Sequence, residues 1–167
     1  MRDTSNEGIH GMTDILKNGS PAPAFTLPAN AGKTISLSDY VGKKLVLYFY
    51  PKDDTSGCTA EAIDFNNKLN EFEACNTAIL GVSPDSVASH DKFKKKYELN
   101  FPLASDEAKA MLETYGVWVE KSMYGKKYMG VERTTVLIDE AGKIVEVWNK
   151  VKVPGHVDEV LANTKDV

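Results

Sequence analysis

The stretch Leu45-Val46-Leu47-Tyr48-Phe49-Tyr50-Pro51-Lys52-Asp53-Asp54-Thr55-Ser56-Gly57-Cys58-Thr59-Ala60-Glu61 decides the fold. Its first six residues are an unbroken apolar and aromatic run closed by Pro51, the pattern of a strand buried on both faces. A polar loop follows. From Cys58 to about Phe72 apolar residues return at helical spacing, with Ala62, Phe65, Leu69 and Phe72 on one stripe and Ile63 beside them. Thr77 to Val82 is a second short apolar run, stopped by Ser83-Pro84-Asp85. Strand, helix and strand in that order form a βαβ unit, whose two strands are expected to be parallel with a right-handed crossover.

Downstream, Ser86 to Tyr97 reads as a helix, Phe101 to Ala104 as a short strand, and Lys109 to Tyr115 as a helix closed by Gly116. Thr134 to Ile138 and Lys143 to Trp148 are β-rich runs around Asp139-Glu140-Ala141-Gly142, a hairpin signal. Val157 to Thr164 reads as a last helix after Pro154-Gly155. The expected fold class is α/β: a mixed central β-sheet flanked by helices, in one domain.

Composition agrees with this. The chain has 167 residues, 42% hydrophobic and 26% charged, enough for one well-buried core. A formal charge of −4 argues against a phosphate-binding surface and hence against nucleic acid. Lys92, Lys94, Lys95 and Lys96 read as the solvated face of a helix. No stretch reaches the length of a membrane span, and Asp3, Glu7, His10 and Asp14 interrupt any secretory apolar core. A reducing cytoplasm is the expected compartment. Residues 1–18 are expected to be a disordered extension, with the folded domain over 19–167. Two cysteines, Cys58 and Cys75, are too few for a disulfide scaffold or a thiolate zinc site.

Cys58 carries the chemical signal. It follows a buried strand and a polar loop, so it falls in the first turn of the next helix. Unpaired N–H groups and the positive end of the helix dipole stabilise a thiolate there. A free cysteine titrates near ~8.5, and cysteines so placed fall to roughly 3.5–7.5. A larger thiolate fraction alone does not make an efficient enzyme; most acceleration has to come from placing the oxidant and stabilising the leaving oxygen. Thr55 offers a hydroxyl three residues before the sulfur, or serves as the helix N-cap. Pro51 removes a donor and shields the site, or merely ends the strand. Gly57 permits close approach beside the cysteine.

Pro51, Thr55 and Cys58 form P-x-x-x-T-x-x-C, which resembles the active-site motif of the peroxiredoxins. Phe49 to Thr59 is similar to the Q-type branch, the bacterioferritin comigratory proteins, and the likeness runs from about Gly19 to the C-terminus. Gly130-Val131-Glu132-Arg133-Thr134-Thr135-Val136 resembles the segment that bears that family's active-site arginine. The resemblance implies a thioredoxin-like fold with extra N-terminal elements, and reduction of hydrogen peroxide and organic hydroperoxides without metal or prosthetic group. It implies that Arg133 points at Cys58, against the plainer reading of an ion pair with Glu132 or Glu61. Glu61 itself is a candidate for orienting Arg133. His10, His90 and His156 receive no role.

Attack on a peroxide leaves Cys58 as a sulfenic acid that a second thiol has to condense with. The Q-type branch often carries that thiol five residues later, where Ile63 stands, or in the following helix, about where Lys94 stands. Cys75 remains. Were residues 58 to 73 one helix, it would lie roughly 25 Å away at ~1.5 Å per residue, beyond the ~7 Å a disulfide tolerates. The expectation is a one-cysteine cycle reset by thioredoxin, glutaredoxin or glutathione, in a monomer or a dimer. A peroxide sensor using the same cysteine is the alternative. A thioredoxin-type dithiol enzyme is disfavoured because Thr59-Ala60-Glu61 follows Cys58 with no second cysteine.

Overall fold

The computed structural model describes residues 16–167; the greater part of the expected N-terminal extension lies outside the described residues. A five-stranded mixed sheet runs through the centre. Its strands are β3 (Lys44–Phe49), β4 (Thr77–Ser83), β5 (Leu103–Ser105), β8 (Thr134–Ile138) and β9 (Ile144–Trp148), in the order β5-β4-β3-β8-β9. β3 pairs in parallel with β4, and β4 with β5, whereas β8 is antiparallel to both β3 and β9. The expected βαβ unit and terminal hairpin are therefore present.

β3 is buried along its whole length because both faces of the sheet are covered. Leu45, Leu47 and Phe49 face one core with Leu80, Val136 and Tyr115. Val46, Tyr48 and Tyr50 face the other, with Phe65, Phe93 and Val160. The period-two alternation of a strand thus builds two cores, each from apolar residues. Even Lys44 is buried; its Nζ donates to the carbonyls of Thr164 (2.9 Å) and Val167 (3.3 Å), capping the last helix, α5 (His156–Lys165).

The expected single helix after Cys58 is two. α1 (Ser56–Asn67) ends at Lys68, whose φ of −103° and ψ of 6° break the ladder, and α2 (Leu69–Ala74) follows. Phe65, Leu69 and Phe72 all enter the same core, so the apolar stripe continues across the break and conceals it. The helical measure of the distance to Cys75 therefore fails. The sheet supplies a better one. Cys75 immediately precedes β4, where Thr77 sits opposite Lys44, while the Cys58 loop leaves β3 at the other end, where Phe49 sits opposite Val82. About 17 Å of strand separates those ends at ~3.3 Å per residue.

Two strand pairs are absent from the residue-by-residue expectation, the first of them among the N-terminal elements that the family resemblance implies. β1 (Thr26–Pro28) and β2 (Thr34–Ser36) form a small antiparallel pair over the first core. β6 (Trp118–Met123) and β7 (Lys126–Val131) form a separate hairpin whose two turn residues, Tyr124 and Gly125, both have positive φ (53° and 79°). That is the torsion pattern of a type I′ turn, normally signalled by Asn-Gly or Asp-Gly. Two more helices, α3 (Val87–Tyr97) and α4 (Ala110–Thr114), flank the sheet. Before β1, Leu16 packs on the first core and Gly19 N–H donates to Ile144 C=O at 2.7 Å.

Gly81 on β4 has the Tyr48 ring against it: a Cβ built there would lie 2.9 Å from Leu103 Cδ2 and 3.0 Å from Tyr48 Cζ. Tyr48 in turn stacks on Phe65 at 4.6 Å between ring centres. Gly81→Ala is expected to cost about 1–3 kcal/mol through overpacking. Urea denaturation measures it, and an unchanged midpoint would refute the close packing.

Candidate active site

The loop from Tyr50 to Thr55 is held by α3. Asp53, buried, accepts hydrogen bonds from the Tyr50 hydroxyl (2.6 Å) and Ser89 Oγ (2.7 Å), and its Oδ2 lies 2.7 Å from His90 Nδ1. His90 Nε2 faces the Ala104 carbonyl at 2.9 Å, which can only accept, so that nitrogen is the donor. The Asp53 N–H donates to Asp85 Oδ2 at 2.8 Å. Asp54, at a φ of 60°, accepts from Lys96 Nζ (2.8 Å) and the Tyr97 hydroxyl (2.7 Å). Sequence reasoning gave His90 no role and treated Lys96 as a solvated face; both tether this loop.

Thr55 occupies the N-cap position of α1, but its side chain does not cap the helix. Its Oγ1 donates to the Lys52 carbonyl at 2.8 Å. The hydroxyl hydrogen is thus committed inward, and what Thr55 can offer outward is a lone pair. The first ladder bond of α1 runs from Thr59 N–H to Thr55 C=O at 2.8 Å. The N–H groups of Ser56, Gly57 and Cys58 therefore precede the ladder, as a helix start requires. Cys58 is buried within that turn, a free thiol 2% exposed. Pro51 is half-buried between β3 and this turn.

Arg133 comes from the other side. It lies just before β8, whose first residue, Thr134, pairs with Phe49 at the end of β3. Although 75 positions from Cys58 in sequence, it donates from Nη2 to Cys58 Sγ at 3.4 Å and from Nη1 to Glu61 Oε1 at 2.5 Å. Of the two expected readings, contact with Cys58 and pairing with Glu61, both hold at once, and the pair is not a surface one. The guanidinium passes so close to Gly57 that a Cβ there would stand 3.2 Å from Nη2. The absent side chain of Gly57 makes room for the arginine.

The electrostatics of the Arg133–Glu61 pair follow from burial. Glu61 is fully buried, and desolvation pushes its carboxyl up to about 7 against the pull of Arg133. Arg133 keeps some contact with water, so although burial works against its charge, Glu61 and Cys58 outweigh that and raise it. Among the described residues, Glu61 Oε2 and the Tyr48 hydroxyl have no hydrogen-bond partner, which leaves Oε2 free to take a proton. His156 is lowered to about 4 by burial, with a further push from Arg133, and so stays uncharged near neutrality. Cys75 follows α2 at the end of the sheet where β4 begins, the end opposite to the one that carries these groups.

A thioredoxin-like sandwich with one buried thiol in the first turn of a helix, under a guanidinium brought in by a neighbouring strand, defines a thiol-dependent peroxidase of the peroxiredoxin class. Residues 18–147 match the AhpC/TSA family model, and the chain belongs to that family. It is 54% identical over 146 residues to a putative peroxiredoxin Bcp of Coxiella burnetii, covering 87% of this chain and 97% of the relative. Among solved structures, the bacterioferritin comigratory protein of Xanthomonas campestris, studied for alkyl peroxide reduction, superposes with a TM-score of 0.82 at 47% identity, over 85% of this chain and 90% of that one. A cysteine-to-serine mutant of Xylella fastidiosa PrxQ superposes with a TM-score of 0.86 at 42% identity, over 90% of this chain and 96% of that one.

The raised Glu61 carboxyl has a consequence for stability. Between its ordinary value of 4.5 and about 7 the folded chain holds a proton that the unfolded chain has lost. Its contribution is therefore complete below the unfolded value and is lost as pH rises through about 7, roughly 3 kcal/mol in all. Glu61→Gln, which cannot titrate, is expected to flatten that descent. Guanidinium denaturation of both proteins between pH 4.5 and 8 checks it, and parallel profiles would show the buried carboxyl is not responsible.

Proposed function

We propose that Cys58 reduces hydrogen peroxide and organic hydroperoxides, and that the oxidised sulfur is reset by a thiol from outside the chain. The observation that carries this reading is the placement of Arg133 Nη2 3.4 Å from Cys58 Sγ, over a helix turn with unspent N–H groups. The alkyl peroxide reduction named for the Xanthomonas relative supports an organic hydroperoxide as one substrate.

The Cys58 thiolate attacks the nearer oxygen of the peroxide. An S–O bond forms as the O–O bond breaks, and the electron pair leaves with the far oxygen, which takes a proton to become water or an alcohol. Arg133 and the free N–H groups of the first turn stabilise the charge spread over the two oxygens in the transition state. Thr55 accepts the hydrogen of the attacked O–H and so fixes the direction of approach. Pro51, with no N–H of its own, keeps one competing donor away from the sulfur. Glu61 and Gly57 position Arg133, one by pairing with it and the other by leaving space.

The product is a sulfenic acid on Cys58. An external thiolate attacks that sulfur, an S–S bond forms and the S–O bond breaks with loss of water; a second thiol then releases Cys58. Thioredoxin, glutaredoxin and glutathione each have the chemistry required. Among the described residues no helix is long and apolar enough to cross a membrane. Two unpaired thiols suit a reducing compartment such as the cytoplasm.

A coupled peroxidase assay with an external thiol tests the cycle. Cys58→Ser is expected to lower turnover at least a thousandfold, while Cys75→Ser keeps it within about twofold. Retained activity in the first variant would refute the nucleophile. Lost activity in the second, with a Cys58–Cys75 disulfide on peptide mapping, would refute external resolution.

A further inference from the structure

The β6–β7 hairpin plays no part in the site, pairs with no other strand and exposes large apolar side chains. A two-stranded ribbon is marginal on its own, so an exposed one invites a reason. Its two faces differ. On one, Trp118 and Val131 enter or edge the core, and Lys127 is paired with Glu120 at 3.5 Å. On the other, the paired positions are Val119 with Gly130, Lys121 with Tyr128, and Met123 with Lys126. Tyr128 and Met123 are 44% and 55% exposed, and Tyr124 at the tip is 97% exposed. This second face carries two lysines and no carboxylate, on a chain whose formal charge is −4.

Lysines on an exposed ribbon can serve simply to block edge pairing. That accounts for the charge and leaves the methionine and tyrosines beside it unexplained, since exposed apolar clusters with aromatic and methionine side chains mark contact surfaces. The ribbon is exposed over most of its length, a surface that suits a protein better than a small anion. Its position also matters. β7 ends at Val131, two residues before Arg133, so the base of the ribbon adjoins the Cys58 site; the Lys121–Tyr128 and Met123–Lys126 pairs lie about 10 and 17 Å along from that base at ~3.3 Å per residue, a span that a docked protein covers.

We propose that the cationic face of the β6–β7 hairpin, centred on Lys121, Met123, Lys126 and Tyr128, is the docking surface for a dithiol protein with an acidic rim, which delivers its thiol to oxidised Cys58. This rests on the external resolution proposed above. The docked protein supplies both electrons: its first thiolate displaces water from the sulfenic acid to form a mixed disulfide. Its second thiol then displaces Cys58 as a thiolate, and the partner leaves with an internal disulfide. Opposite charges steer the encounter and the apolar side chains hold it.

The test is steady-state peroxide turnover by the full chain, with thioredoxin and with glutaredoxin as protein reductants and dithiothreitol as the small one. In Lys121→Glu/Lys126→Glu the KM for the supporting protein reductant is expected to rise at least tenfold, with kcat/KM for peroxide under dithiothreitol unchanged. Tyr128→Ser is expected to raise the same KM severalfold. In the unaltered chain that KM should climb with salt, and the double variant should lose the salt dependence. An unchanged KM in the charge-reversed chain overturns the docking surface. So does failure of both proteins to support turnover while dithiothreitol does, and so does sedimentation showing that the reversal only splits a dimer. Absence of turnover even with dithiothreitol would instead bring down the peroxidase cycle itself, and the docking with it.

Discussion

Everything at the site depends on one guanidinium reaching two groups at once. Arg133 spans from Glu61 Oε1 to Cys58 Sγ, and those two acceptors lie one helical turn apart on the same helix. A fork of fixed geometry is what makes this possible: Arg presents parallel donors that a lysine ammonium cannot. Holding the fork requires the end of β8 to lie against the start of α1, which follows from pairing β8 beside β3. The lack of a side chain at position 57 helps, because a Cβ there would stand 3.2 Å from Nη2 and press on the guanidinium. The buried carboxylate is costly: desolvation outweighs the pull of Arg133 and pushes the carboxyl up to about 7. The arrangement secures orientation more than stability.

The second requirement is a rigid approach to the cysteine, and here α3 matters. A loop between a buried strand and a helix would ordinarily be the mobile part of the fold. Asp53 and Asp54 instead anchor it to Ser89, His90, Lys96 and Tyr97 on α3. Lys94, on the same helix, has its own structural duty, donating to the carbonyls of Leu99 and Phe101 beyond the helix end. That is about the position at which the Q-type resemblance allows a second cysteine. In this chain it closes off the end of α3, and the helix that clamps the active loop is itself held folded by a lysine.

How much of this was legible depends on the range of the forces involved. β3 and β4 are unambiguous because burial on both faces writes a continuous apolar run. Cys58 and Arg133 were found through short motifs, and each motif stands where backbone geometry demands particular residues. The break at Lys68 was invisible because the helices on either side offer the same stripe to the same core. The β6–β7 hairpin escaped because most of it is exposed on both faces, so no alternation marks it, and its turn is Tyr-Gly rather than Asn-Gly. The Asp53–His90 contact spans 37 positions and involves residue types that occur everywhere, so nothing local could announce it.

The separation of the two cysteines is the final step of this logic. The parallel pair β3–β4 is a stiff spacer, with Cys75 beside the end where the strands begin and Cys58 beyond the end where they finish. Flexing a loop does not bring them together, because Cys75 stands two residues before β4 and the loop that leads to Cys58 is anchored to α3. Reaching Cys75 from Cys58 would mean unzipping α1 or pulling β4 out of the centre of the sheet, where its neighbours on both sides hold it. Either move exposes a core containing Tyr48, Phe65 and Phe72, each almost wholly buried, and side chains of that size are worth roughly 1.5–3 kcal/mol apiece when kept from water. A thiol arriving through solvent needs a smaller opening: Cys58 is buried, but Thr55 and Ser56 just before it are exposed, so loosening the first turn of α1 uncovers the sulfur while the core stays closed. The same sheet that positions the guanidinium over the sulfur thus holds the second cysteine away from it, which is the geometric ground for the external resolution proposed above.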